Sequence, residues 1–150
     1  MSTDSIQELW RQHRVGQDKY TYFLLAVSAS AIAFAVQKTE GLKLSSDLYL
    51  VGVAALCWGL SFYCGCKNLV WVQTSLFANY SLVQLQSGAH PQQPDHPQVL
   101  AAAIEGVRSA IDSNINKAQS HAIWQFQFLI LGALMFIGWH VWRIYLNGHG

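Results

Sequence analysis

Hydrophobic positions in this chain gather into three runs without a charged residue: 20–37 (YTYFLLAVSASAIAFAVQ), 48–66 (LYLVGVAALCWGLSFYCGC) and, within 121–146, the run WQFQFLILGALMFIGWHVW. About twenty apolar residues at 1.5 Å rise cover a hydrocarbon core of about 30 Å, so each run reads as a spanning helix. Trp124 at one end of the third run, with Trp139, Trp142 and Tyr145 at the other, stands where interface anchors belong.

Outside these runs the pattern becomes periodic. In residues 1–19, Ile6, Leu9, Trp10 and His13 trace one side of a helix, and Ser5 and Glu8 have capping-box spacing. This predicts either a juxtamembrane amphipathic helix, with Trp10, Arg11 and Arg14 at the headgroups, or an extension of the first span through Gly16. A short polar connection, 39–47, contains Gly41 for a turn and Ser45 or Ser46 for a cap, which makes the first two spans a tight pair. Beyond Lys67, the positions Leu69, Val72, Leu76, Tyr80 and Val83 keep helical spacing beside Gln73, Asn79, Gln84 and Gln86, with Trp71 marking the membrane boundary. A helix from Leu48 to Gln86 would measure about 60 Å, unless Gly65 breaks it. The segment SGAHPQQPDHP, 87–97, ends that helix, and Asp95 can cap the next with Pro97 in its first turn.

The following stripe is Leu100, Ile104, Val107, Ile111, Ile115, Ala118 and Ala122, opposed by Glu105, Arg108, Asp112, Asn116 and Lys117. Burying such a stripe is worth roughly ten kcal/mol before entropy, so it needs a partner. The preceding amphipathic helix supplies one if 67–120 folds back as a hairpin; a neighbouring subunit supplies another. The expected fold is therefore all-α: a three-span helical membrane protein whose long helices extend into a cytoplasmic antiparallel helical hairpin, with the third helix one rod through residues 98–146.

Small residues suggest how the spans associate. Ala26 with Ser30, Ala29 with Ala33 and Ala31 with Ala35 are pairs at i,i+4; Gly52, Ala55 and Gly59 share a side of the second run, with Ser61 and Gly65 on a neighbouring one, and Gly132 lies in the third. In lipid, where burial of apolar surface drives little, close backbone approach at small residues is the main attraction between helices. Ala26, Ala29, Ser30, Ala33, Gly52, Ala55, Gly59 and Gly132 are the expected helix-packing positions. Leu100, Ile104, Val107, Ile111 and Ile115 are the expected hairpin or oligomer interface.

Composition and charge narrow this picture. Of 150 residues, 52% are hydrophobic and only 11% charged, against about 25% in soluble domains. The net charge of +1 leaves no electrostatic case for a nucleic-acid partner. Ala33, Phe34 and Ala35 resemble a leader cleavage site, but Asp4, Glu8 and Asp18 upstream argue against one, so the first span is expected to be retained. A cytoplasmic N-terminus puts Arg11, Arg14, Lys19, Lys67, Arg108 and Lys117 inside and Lys38, Lys43 and Arg143 outside, six against three.

Candidate chemistry is sparse. Cys64, Cys66 and His121 fall at one membrane depth and are the best metal or haem candidates, but Cys-x-Cys on a helix points two ways and a fourth ligand is missing. The loop residues His90, Asp95 and His96 read as solvated rather than ligating, and the Arg143 to His149 spacing is too loose to indicate a nuclease. There is no Walker motif, dinucleotide loop, G-x-S-x-G or H-E-x-x-H, and the span centres carry no ionisable residue for an ion pathway. No enzymatic activity, metal or cofactor is expected. Two functions remain: a structural or interaction module that binds the bilayer and either its own copies or another membrane protein, and an oligomeric pore or membrane-perturbing effector lined by Ser28, Ser30 or Ser61. The layout resembles small bacterial defence effectors with spanning helices and a helical cytoplasmic part. That resemblance implies a bacterial inner membrane and transfers no residue role.

Overall fold

The structure, a computed structural model, describes residues 3–41 and 48–148, with side chains at 8, 12, 15–41 and 48–145. Among the described residues there are three helices and no strand: α1 (Thr3–Thr39), α2 (Leu48–Ser87) and α3 (Pro97–Gly148). Each contains a stretch long and apolar enough to cross a membrane, lying within Val15–Thr39, Leu48–Ser87 and Pro97–Tyr145.

None of the three helices is interrupted where the sequence allowed a break. α1 continues through Gly16, so residues 3–19 extend the first span; one interior glycine costs about 1 kcal/mol, which a 37-residue helix tolerates. Ser5 lies two residues inside this helix, with its side chain outside the described residues, and Glu8 Oε1 accepts a hydrogen bond from Gln12 Nε2 at 2.8 Å. α1 ends in a turn at which Gly41 adopts φ 75°, as expected, while the serine cap at Ser45 or Ser46 and the side chains of Trp10, Arg11 and Arg14 lie outside the described residues. α2 runs 40 residues without a break at Gly65, and α3 runs 52 residues with no break at Ser120–His121.

The junction between α2 and α3 follows from backbone demands. Gly88 adopts φ 74°, and Ala89 N–H donates to Gln84 O at 3.0 Å, a left-handed cap that satisfies an end carbonyl. At the start of α3 the cap is His96 rather than the expected Asp95. His96 Nδ1 accepts the Gln98 N–H at 3.3 Å while Pro97 takes the first helical position, where a missing N–H costs nothing. His90 Nδ1 is likewise engaged, accepting the Gln92 N–H at 3.1 Å. Both histidines use ring nitrogens to terminate backbone.

The chain forms two compact units, one of Met1–Cys66 with Ala122–Gly150 and one of Lys67–His121. In the first, buried positions recur at alternating steps of three and four: Thr21, Leu24 and Ser28 on α1; Val51, Ala54, Trp58 and Ser61 on α2; Gln125, Leu129 and Gly132 on α3. That spacing keeps one seam of each helix turned inward along its length. Leu24, Ala35, Val51, Ala54, Trp58, Leu129 and Trp139 form its hydrophobic core. In the second unit, Asn68 and Leu85 of α2 and Asn114 and Ala118 of α3 are buried, and Leu100, Ile104, Val107 and Ile111 are half-buried. Asn68 Nδ2 donates to Ala118 O at 2.9 Å, and the Lys117 ammonium sits 4.6 Å over the Trp71 ring.

Candidate functional site

Within a bilayer, a side-chain hydroxyl or amide finds no partner in lipid and is driven inward to other helices. Ser28, Ser61 and Gln125, each polar within an apolar run, meet this condition together in the first unit. Ser28 and Ser61 are fully buried, and Gln125 is 1% exposed. Ser61 Oγ lies 2.7 Å from the backbone oxygen of Gln125 and 3.1 Å from Ser28 Oγ, while Ser28 Oγ lies 2.9 Å from Leu24 O. Two hydroxyl protons serve these three contacts. With Ser61 donating to Gln125 O, the Ser28 proton is shared between Leu24 O and Ser61 Oγ, which ties α1 to α2 and α2 to α3 at one level.

Two glycines make this approach possible. A Cβ at Gly65 would stand 2.5 Å from Gln125 Nε2 and 2.7 Å from Leu25 Cδ2; one at Gly132 would stand 2.6 Å from Trp58 Nε1 and 3.0 Å from Ala54 O. The Trp58 indole crosses α3 at Gly132 and donates to Leu129 O at 3.3 Å. Gln125 Nε2 is buried without a hydrogen-bond partner. The layer joins the three helices of this unit through side-chain contacts to side chains and backbone carbonyls.

The structure divides the expected packing positions in two. Gly132 is buried against Trp58 and Ala54, Ala55 is half-buried, and Ala26, Ala29, Ser30, Ala33, Gly52 and Gly59 are exposed, the two glycines with nothing within 4 Å of a Cβ. At about 100° per residue, Ala26, Ser30 and Ala33 lie on the side of α1 opposite Ser28, and Gly52 and Gly59 on the side of α2 opposite Ser61. The chain's own seam instead uses Ser28, Ala35, Ala54, Ser61, Gly65 and Gly132. Of the serines considered as pore lining, Ser28 and Ser61 are enclosed in the seam, and Ser30 alone is exposed.

Of the expected interface on α3, Leu100, Ile104, Val107 and Ile111 are half-buried, but Ile115 is 50% exposed and Asn114 takes the inward place. Trp139, expected as an interface anchor, is 3% exposed, with Phe136 beside it at 5.3 Å between ring centroids. Trp124, Trp142 and Tyr145 are exposed. Cys64 is buried and Cys66 exposed, both free thiols, and His121 Nδ1 lies 2.7 Å from Lys117 O. Among the described residues no group of three His, Cys, Asp or Glu is placed to hold a metal ion.

Sequence reasoning passed over Trp58, Gln125, Asn68 and Asn114. For Gln125 the signal was an amide within an apolar run, which finds no partner in lipid; Trp58, Asn68 and Asn114 carried no comparable signal. No family model, curated protein or solved structure matches this chain.

Proposed function

We propose that this protein is a membrane-embedded structural module that self-associates through the outward small-residue faces of α1 and α2 and performs no chemistry of its own. The observation that carries this reading is the open space at Gly52 and Gly59 beside exposed Ala26, Ser30 and Ala33. α1 and α2 each have one small-residue face used within the protomer and a second left for a neighbour, and small residues at a lipid-facing surface permit close backbone contact. The 67–121 unit, read as a cytoplasmic helical hairpin of a bacterial inner-membrane protein with its N-terminus inside, adds exposed Val70, Phe77, Tyr80 and Val83 as further contact surface.

The test is the mass of the assembly in mild detergent and in lipid nanodiscs, for the native chain and for a Gly52→Leu/Gly59→Leu double variant. Neither leucine meets anything within the protomer at its Cβ, so the fold is expected to persist. The native chain should run as a discrete multimer, with association weakened about tenfold or more in the variant. A native chain that stays monomeric at every concentration, or a variant that associates equally well, overturns the reading.

A further inference from the structure

At the end of the first unit where α1 finishes, a cavity of about 290 Å³ is lined by Phe34, Lys38, Phe136, Ile137, Trp139 and His140. Four of these are carbon-rich walls, two bring nitrogen bases, and none is a carboxylate. The Lys38 ammonium lies 5.5 Å over the Phe34 ring and forms no ion pair with a described residue; Glu40, two residues on, is exposed. Trp139 is almost wholly buried, yet its indole N–H has no acceptor. The Arg143 guanidinium lies 5.5 Å from the same ring, adding positive charge at this level. A buried donor without an acceptor is costly, and a hydrogen-bonding ligand would remove that cost.

We propose that this cavity binds one anionic phospholipid of the surrounding membrane, its phosphate held by Lys38 and His140 and its acyl chain laid against Phe34, Phe136 and Ile137. The occupant follows from the chemistry and the place. A cation at the end of a spanning helix stands at headgroup depth, and a basic pocket between such helices suits a lipid phosphate. Apolar walls continuing from that cation suit the chain attached to it. A soluble anion would use the cation and leave the aromatic walls unfilled.

The purified protein in nanodiscs of phosphatidylcholine, titrated with phosphatidylglycerol and followed by native mass spectrometry of retained lipid, tests this. Phosphatidylglycerol should be retained in preference to phosphatidylcholine. Lys38→Gln should lower that preference about fivefold, while Lys38→Arg retains most of it. Trp139→Phe, which keeps the ring and removes the N–H, should weaken retention less. Helical circular dichroism of each variant, unchanged from the native chain, ties the loss to the cavity. Equal retention of the two lipids, full retention in Lys38→Gln, or displacement of the lipid by inorganic phosphate alone would each overturn the proposal.

Discussion

The two units of this protein place polarity oppositely. In the first, Phe23, Leu56, Leu60, Leu134 and Ile137 face outward while Ser28, Ser61 and Gln125 face inward. In the second, Glu105, Arg108, Asp112, Asn116 and Lys117 face outward over half-buried Ile104, Val107 and Ile111. Both use three-and-four spacing along their helices, so the same geometry carries two kinds of seam. In the first, hydrogen bonds and backbone proximity distinguish inside from outside; in the second, aliphatic side chains line the inner side of α3 beneath a charged one. The second unit still buries Asn68, which reaches a carbonyl across the helix pair at 2.9 Å, whereas Gln125 in the first keeps an unpaired amide nitrogen.

The contrast can be broken most strongly at the glycines. Gly132→Val drives a branched side chain into Trp58 and should cost the fold about 1–3 kcal/mol, read as a shifted midpoint in detergent-mediated unfolding. Gly106→Ala in the second unit meets nothing within 4 Å and should stabilise by about 0.5–1 kcal/mol through helix propensity. Equal effects of one sign would erase the distinction between a tight seam and an open face. Ser61→Ala removes the donor to Gln125 O and the partner of Ser28, with an expected loss of about 0.6–1.7 kcal/mol in the same titration. The smallest effect on the fold belongs to Phe77→Ser. Phe77 is 73% exposed, so stability should move by less than about 0.5 kcal/mol, and any change should appear in the assembly mass instead.

The unequal legibility of these features in the sequence has a physical basis. Three spans were readable because roughly twenty uncharged residues have one economical environment, and the Pro-rich loop because Pro91 and Pro94, following Gly88, cannot continue a helix. The stripe Leu100, Ile104, Val107 and Ile111 was readable because charged and polar residues opposite it make hydrophobicity periodic. Along that stripe Ile115 is exposed and Asn114 is buried, a three-residue step from Ile111 turning the asparagine inward.

Sequence by itself determined the helical class, the number of apolar spans and the interruption after Ser87. Only the tertiary structure decided that α1 runs unbroken through Gly16, that His96 caps α3, that Trp139 faces inward, and that Ser28, Ser61 and Gln125 meet at one level. Within an apolar run every face is equally compatible with lipid, so hydrophobicity carries no phase. The phase is chosen by which small residues let backbones touch and which polar groups find partners, and both depend on the neighbouring helix.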